Sequence, residues 1–496
     1  MALSPLAAAQ GAPKICQNLV GGTWRAASGA PTLEVRSPWN GAVIGKVAET
    51  SATEVDEIVR AAAAAFPGWR ATPVKERVQY LFKFRELVLG KLDLLASQAA
   101  AEAGKTTQEA RAGVLKGVEV LEFALSVPNL EDNAVLEVSR GVTCQISREP
   151  LGVVCGITPF NFPAMVPAWM YPIAIALGNC FILKPSEKVP LTSQVIGELW
   201  REAGLPAGVF SIANGGAATA GALLDHPGVA AAAFVGSTPA ALAVYRRATE
   251  KGKRCLALGG AKNPLIVVPD ADPDLTVQGV VDSFTGCAGQ RCMAASLMIA
   301  VGDVETIIDQ VVDKAAKIPL GIQMGAIIDK AAKARIESAI EAAAKAGATI
   351  RLDGRSPKTP VGADGGNWLG ATVIDHCKPE MECVKTEIFG PVLSIVRVKT
   401  LSEALKLEAA STFGNATSVF TTSGAVAREV ASSATSGMVG VNIGVPVPRE
   451  PFSFGGTKQS KFGALDITGT GGVEFWSERK KVTIKWAAAA DRNWMS

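Results

Sequence analysis

Between Leu151 and Leu183 the chain reads "LGVVCGITPFNFPAMVPAWMYPIAIALGNCFIL", without a single charged side chain. A stretch this long and apolar must lie in a bilayer or be buried in protein. Pro159, Pro163, Pro167 and Pro172 interrupt it, with Gly156 and Gly178. An interior proline removes a helical hydrogen bond and clashes with the preceding turn, so one membrane-spanning helix is excluded. The segment predicts a buried strand, a loop, a short helix and a second buried strand. Strands that are apolar on both faces belong in a parallel sheet covered on both sides.

The alternation continues downstream. "GVFSIA", "AAAFVG", "RCLAL" and "PLIVV" are strand-length apolar runs, with helix-length segments at 191–203 and 238–251 between some of them. Alternating strands and helices over 151–270 predict a doubly wound α/β sheet. Residues 53–126 have helical patterning. From 272 to 400 the alternation returns with "LMIAV", an alanine-rich helix over 330–346 and "VLSIVRV", which predicts a second α/β domain. The segment 131–149 reads as an edge hairpin and "ERKKVTIKWAAA" as one exposed strand, both either ordinary surface strands or elements of subunit pairing.

Composition narrows the function. A length of 496 residues predicts about three domains. A net charge of +3 without a basic cluster argues against nucleic-acid binding. Nine irregularly spaced cysteines form no disulfide framework, and with only His226 and His376 available a His/Cys zinc site is not expected. The N-terminus lacks the basic region of a secretory signal and the arginines of a transit peptide, so the protein is expected in the cytoplasm.

Four stretches carry chemistry. "FTGCAGQRCMAAS" holds Cys287 and Cys292, with Arg291 beside the second. A cysteine in such a loop is either buried filler or a nucleophile assisted by a nearby cation. "KPSE", Lys184–Glu187, follows the strand "CFILK", where α/β folds bind ligands. The lysine can reach a ribose hydroxyl or phosphate. The carboxylate can accept from ribose hydroxyls and would repel a 2′-phosphate, favouring NAD over NADP. Gly236, Ser237 and Thr238 open a helix, either as a phosphate-binding N-terminus or as a plain cap. In "TPFNFP" Asn161 is a rigidly placed amide, aimed at a developing oxyanion or spent on its own loop.

Taken together, "TPFNFP", "KPSE", "FVGST", "GQRCMA", "EIFGPV" and "PFSFGG", in that order, resemble the aldehyde dehydrogenase superfamily. The likeness runs from "VGGTW" at Val20 to "VTIKW" at Trp486. "GITPFNFPAMVPAWMYPIAIALGN", "GQRCMA" and "GVPVPREPFSF" are similar to its CoA-acylating methylmalonate-semialdehyde dehydrogenase branch. The resemblance implies two doubly wound α/β domains, one Rossmann-type for NAD (1–130 and 150–258) and one catalytic (259–462). A small β element (131–149 and 475–490) is implied for oligomerisation, as a homo-dimer or homo-tetramer.

The resemblance also assigns roles. Cys292 matches the nucleophile and Cys287 is left to packing. The Asn161 amide and the Cys292 N–H match the oxyanion site. Thr158, Phe160, Lys184, Glu187, Gly236, Ser237, Glu387 and Phe389 match the cofactor contacts, the last two at the nicotinamide ribose. Arg291 matches one of two arginines that hold a substrate carboxylate; the second position is Lys116, which keeps the charge and loses the bidentate fork. Hydrolytic members carry a glutamate in a "LELGG"-type segment. Here that segment is "CLALGGAKNP", and the glutamate falls on Ala257 or Leu258 according to the alignment. Without a general base, water attack on a thioester loses roughly 10²–10⁴ in rate, whereas a thiol needs less help. The expectation is an acidic-group-free pocket and acyl transfer to coenzyme A. The alternatives are a hydrolytic enzyme using another base such as Asp466, and a nucleotide-binding scaffold without turnover.

Overall fold

The computed structural model describes residues 5–8, 12–28, 32–130 and 134–486. The uncharged segment folds as two strands, Val153–Ile157 and Cys180–Lys184, every residue of both buried. Between them lie two short helices, Met165–Ala168 and Tyr171–Ala176, rather than the single helix expected. Pro172 is the reason for the split, because it has no N–H to offer the carbonyl a turn earlier.

These strands form the centre of an eight-stranded sheet. Its order is Lys461–Phe462, Arg254–Leu258, Val229–Val235, Val153–Ile157, Cys180–Lys184, Phe210–Ile212, Gln17–Val20 and Thr23–Ala26. The five inner strands are parallel and the outer ones antiparallel. From Val153–Ile157 the chain first adds strands on one side, then returns to place Val229–Val235 on the other. The crevice between those two strands, at their carboxyl ends, is therefore a topological switch point, where open α/β sheets bind ligands.

A second sheet of seven strands holds Asn263–Val267 near its centre, flanked by Ala295–Val301 and Ala416–Phe420, all parallel. "PLIVV" thus belongs to the second sheet and not to the run that ends the first. Four helices, Ala52–Ala71, Val74–Gly90, Leu92–Ala103 and Thr107–Leu125, account for the helical patterning before the first sheet. The first and last each start with a capping box, Ser51 with Glu54 and Thr106 with Glu109.

The hairpin Val135–Ser139 and Val142–Pro150 accepts the tail strand Ser477–Lys485 along its whole length, giving a three-stranded antiparallel sheet. Its outer strand exposes Val135, Leu136 and Val138. Residues 131–133 of the expected hairpin, 487–490 of the expected tail and 1–4 and 9–11 of the N-terminal segment lie outside the described residues. No helix among the described residues is long and apolar enough to cross a membrane.

Candidate active site

Three of the sequence motifs meet at the switch point. Thr158–Asn161 follows the strand Val153–Ile157, and Gly236 and Ser237 follow Val229–Val235. Lys184–Glu187 follows the adjacent strand. Thr158 N–H donates to the Lys184 carbonyl at 3.1 Å, tying the first and third together. Lys184 is almost fully buried and its Nζ stands 3.7 Å from Glu187. Ser237 occupies the N-cap of the helix Thr238–Glu250 without its side chain capping it, and Pro239 in the first turn has no N–H to satisfy.

The segment carrying Glu387 and Phe389 crosses to the same place from the second domain. The Ala261 N–H donates to Glu387 Oε1 at 3.1 Å. A Cβ on Gly260 would stand 2.4 Å from the other carboxylate oxygen, so any larger residue there would push the Glu387 carboxylate out of its present position. Thr238 Oγ1 accepts from the Gly260 N–H at 2.9 Å, joining the helix start to this glycine. Phe389 adopts a left-handed φ of 56° and meets Phe160 edge-on, with centroids 5.8 Å apart. Burial pushes the Glu387 carboxyl up to about 7 against the Ala261 hydrogen bond and the Lys262 charge.

Cys292 lies between this crevice and a pocket of about 1050 Å³ on its other side. Asn263 Nδ2 and Asn415 Nδ2 both donate to the Cys292 carbonyl, at 2.8 and 3.1 Å. That double clamp fixes the peptide and leaves the sulfur near the backbone N–H groups of Cys292 and Met293. Asn161 Nδ2 donates to the Gln290 carbonyl at 2.9 Å, two residues before the cysteine. Gln290 is itself anchored, its Oε1 accepting from Ile328 N–H at 3.0 Å. Burial first, and then the Glu387 charge, push the Cys292 thiol up to about 12. Arg291 acts in the opposite direction, as expected from the sequence, but is outweighed.

The substrate candidates line the same pocket. Arg291 Nη2 donates to the carbonyls of Asp282 and Ser283 at 2.5 and 2.9 Å, while its Nε is buried without a partner. Lys116 Nζ pairs with Glu119 at 2.6 Å, one helical turn away. Arg111, by contrast, pairs with Asp93 on the exposed face.

The expectation of a pocket without acidic side chains is corrected. Ala257 and Leu258, the two positions matched to the hydrolytic glutamate, are buried in the strand Arg254–Leu258. Yet Glu109, Glu119, Asp282 and Glu450 line the pocket wall. Glu119 is carried there by the helical repeat from Lys116, and Glu450 arrives on a loop more than three hundred residues away in sequence. Their distance along the chain from any recognised motif hides them; for Glu119 the i, i+3 spacing from Lys116 is the available signal. Asp466, the base named from sequence, accepts from Lys461 Nζ at 2.8 Å and is not among the residues lining the pocket. Cys287 is not simply filler: its Sγ accepts from the buried Lys105 Nζ at 3.1 Å, and Lys105 sits over the Phe162 ring.

Residues 24–482 match the model of the aldehyde dehydrogenase family. The chain belongs to that family. It is 42% identical to malonate-semialdehyde dehydrogenase 2 of Geobacillus kaustophilus over 478 residues, 95% of this chain and 98% of the relative. Among solved structures it matches a protein described as a methylmalonate-semialdehyde dehydrogenase from Sinorhizobium meliloti, complexed with NAD. The TM-score is 0.95 and the identity 39%, with 97% of this chain and 100% of that one covered. The methylmalonate-semialdehyde dehydrogenase of Oceanimonas doudoroffii matches with a TM-score of 0.94 and 40% identity, over 96% of this chain and 99% of that one. This aldehyde dehydrogenase therefore has the α/β architecture of two doubly wound domains and a small β element.

Proposed function

We propose that this aldehyde dehydrogenase oxidises malonate semialdehyde, methylmalonate semialdehyde or a related semialdehyde with NAD and transfers the acyl group to coenzyme A. The observation that carries the reading is Cys292, clamped at the mouth of the pocket beside Asn161, with only Ala257 and Leu258 where a hydrolytic carboxylate would stand. The relatives' names supply the semialdehyde.

The crevice fits a dinucleotide. The helix start at Ser237 has no side-chain cap and offers the N–H groups of its first turn, Pro239 excepted, to phosphates, while Gly236 stands beside it with its own N–H on the Leu258 carbonyl. Lys184 and Glu187 take the adenosine ribose, Glu387 and Phe389 the nicotinamide ribose, and Thr158 and Phe160 line the approach. The cofactor, when bound, supplies a two-electron acceptor for the aldehyde hydrogen.

The chain's own work lies around one sulfur. Burial, and then the Glu387 charge, hold the proton on Cys292, so attack requires that proton to pass to solvent. The Cys292 sulfur then adds to the aldehyde carbon. The oxyanion is held by the Asn161 amide and the Cys292 N–H. Loss of hydride leaves an acyl thioester on Cys292. The thiol of coenzyme A attacks that carbonyl, a C–S bond forms, and the Cys292–acyl bond breaks. For malonate semialdehyde the carboxylate leaves as carbon dioxide, and the methylene carbon takes up a proton equivalent to the one released by the coenzyme A thiol, giving acetyl-CoA. Arg291 and Lys116 hold the substrate carboxylate within the pocket.

A second reading is hydrolysis to the free acid. The Glu387 carboxyl, held near 7 beside Cys292, is the group that favours it. One assay decides: malonate semialdehyde and NAD, with and without coenzyme A, analysed for products. NADH and acetyl-CoA formed together, with turnover stalled when coenzyme A is omitted, is the expected result. Full turnover to free acid without coenzyme A overturns it.

By the same reading, residues 1–130 and 150–258 form the NAD-binding domain and 259–462 the catalytic domain, and the hairpin–tail sheet pairs subunits in a homo-dimer or homo-tetramer. The exposed Val135, Leu136 and Val138 support that pairing. The cysteines are free thiols, which suits a cytoplasmic setting.

A further inference from the structure

Behind Glu387, away from the pocket, two thiols and an amine are buried together. Cys377 follows the strand Thr372–Asp375, and Cys383 lies in the short helix Glu382–Lys385. Their sulfurs are 3.7 Å apart: Cys383 Sγ donates to Cys377 Sγ, which in turn donates to the Ile374 carbonyl at 3.5 Å. Both are buried, at 3% and 4% exposure. Ser394 Oγ donates to the Cys383 carbonyl at 2.9 Å and the Cys377 N–H donates to the Ile395 carbonyl at 3.0 Å, so both cysteines are pinned to the same neighbouring strand.

Lys262 is the odd member. It is 2% exposed and its Nζ has no hydrogen-bond partner among the described residues. Burial pushes its amine down to about 8, and an anion beside it works in the opposite direction. The titratable groups that act on it are Cys383, Cys377 and Glu387. The contact with Cys377, and after it the Lys262 charge, lower the Cys383 thiol, while Cys377 is pushed up; once Cys383 has lost its proton, the Cys377 S–H can turn from the Ile374 carbonyl to the Cys383 sulfur. The pair is thus divided into a thiolate and a protonated partner, the arrangement in which thiol oxidation proceeds to a disulfide.

We propose that Cys377 and Cys383 form an oxidation site whose disulfide weakens binding of the nicotinamide cofactor. The oxidant is a peroxide, small enough to enter on local opening. The Cys383 thiolate attacks one peroxide oxygen; an S–O bond forms, the O–O bond breaks, and the departing hydroxide is protonated to water. The Cys377 sulfur then attacks the oxidised sulfur; an S–S bond forms, the S–O bond breaks, and a second water leaves with the Cys377 proton. One peroxide is reduced to two waters and two thiols are oxidised.

Two consequences reach Glu387. The sulfurs must approach from 3.7 Å to about 2.05 Å, which displaces the helix that ends two residues before Glu387 or shifts the turn at Cys377. Lys262 also loses its thiolate neighbour, leaving the Glu387 carboxylate as the remaining anion acting on it. Both changes draw that carboxylate away from the crevice. The cofactor half of the inference rests on Glu387 facing the nicotinamide ribose.

The test uses the full chain with Cys292→Ser, so that the pocket sulfur is not oxidised. Hydrogen peroxide is added, peptides are mapped by mass spectrometry, and NAD binding is titrated before and after oxidation. A loss of two hydrogens on the peptides linking Cys377 to Cys383 is expected. NAD affinity should fall about five- to tenfold and recover with dithiothreitol. Both effects should vanish with Cys377→Ser; Cys377→Val serves if that variant does not fold. Absence of the cross-link, or a cross-link with unchanged NAD affinity, overturns the proposal. Reduced protein that fails to bind NAD overturns the coupling through the cofactor reading, while the mass shift still reports the thiol chemistry separately.

Discussion

The dinucleotide crevice and the aldehyde pocket lie on opposite sides of Cys292, and they are built differently. The crevice is made from chain segments that leave consecutive strand ends: Thr158–Asn161, Lys184–Glu187 and Gly236–Ser237. Backbone geometry places those residues, so each occupies a short contiguous motif. The pocket is walled by side chains from remote elements, including Lys116 and Glu119 on a helix, Arg291 in the nucleophile loop and Glu450 on a late loop. Its chemistry depends on which charges neutralise one another across the wall. In the proposed reading the crevice fixes what cofactor chemistry is available and the pocket decides which aldehyde is presented to it.

The sharpest way to break this division is at Cys292, which serves both sides. Cys292→Ala should abolish acyl-enzyme formation and lower turnover by about 10⁴ or more, with NAD binding measured by titration unchanged. Residual turnover at a tenth of wild type would show that another group carries the covalent step, and Cys287 beside Lys105 would be the first to examine. Asn161→Ala should follow with a loss of about 10²–10³ in kcat, the scale of removing one oxyanion donor. A purely structural Asn161, spent on the Gln290 carbonyl, would instead lower stability and leave kcat near wild type.

Legibility in the sequence follows the same division. The first sheet could be read because strands buried on both faces must be apolar throughout, as in "CFILK" and "AAAFVG". The switch-point motifs could be read because they are local. Glu119 and Glu450 could not, since a carboxylate on a helix or in a loop carries no mark of which cavity it will face. The association of the tail with the hairpin comes from the family resemblance, which puts 131–149 and 475–490 in one β element; the residues alone give only an exposed strand, since its partner lies over three hundred residues earlier. The uncapped Ser237 is intermediate. Its position at a helix start was readable, but only the structure shows that its side chain does not cap the helix.

The pocket side is tested by its charge balance. Lys116 is neutralised by Glu119 at 2.6 Å, so it is less available to a substrate carboxylate than a free cation would be. Lys116→Ala should raise KM for malonate semialdehyde by about tenfold, equivalent to ~1.4 kcal/mol, with kcat little changed. Lys116→Arg restores the planar fork and should lower KM below wild type. If neither substitution moves KM, the substrate carboxylate is held elsewhere, and the semialdehyde reading loses one of its two contacts.

Stability, rather than rate, separates two buried carboxyls that burial raises alike. Glu387 and Glu102 are both pushed up to about 7. Glu102 accepts from the Leu191 and Thr192 N–H groups, each at 2.8 Å, and so caps the start of a helix. Glu387 has one such bond, from Ala261. A carboxyl whose pKa rises on folding binds its proton more tightly in the folded state. The stability it contributes is complete below the unfolded value of about 4.5 and is lost as pH rises through about 7. A shift of that size corresponds to about 3 kcal/mol of destabilisation at alkaline pH. Glu387→Gln keeps the acceptor for Ala261 and removes the charge, so its denaturation midpoint should match wild type near pH 5 and exceed it near pH 8. Glu102→Gln turns an amide donor toward a backbone donor and should destabilise the chain at both pH values. If Glu387→Gln also destabilises at both, Glu387 is a structural anchor like Glu102, and the crevice and the scaffold behind it are not as separate as their construction implies.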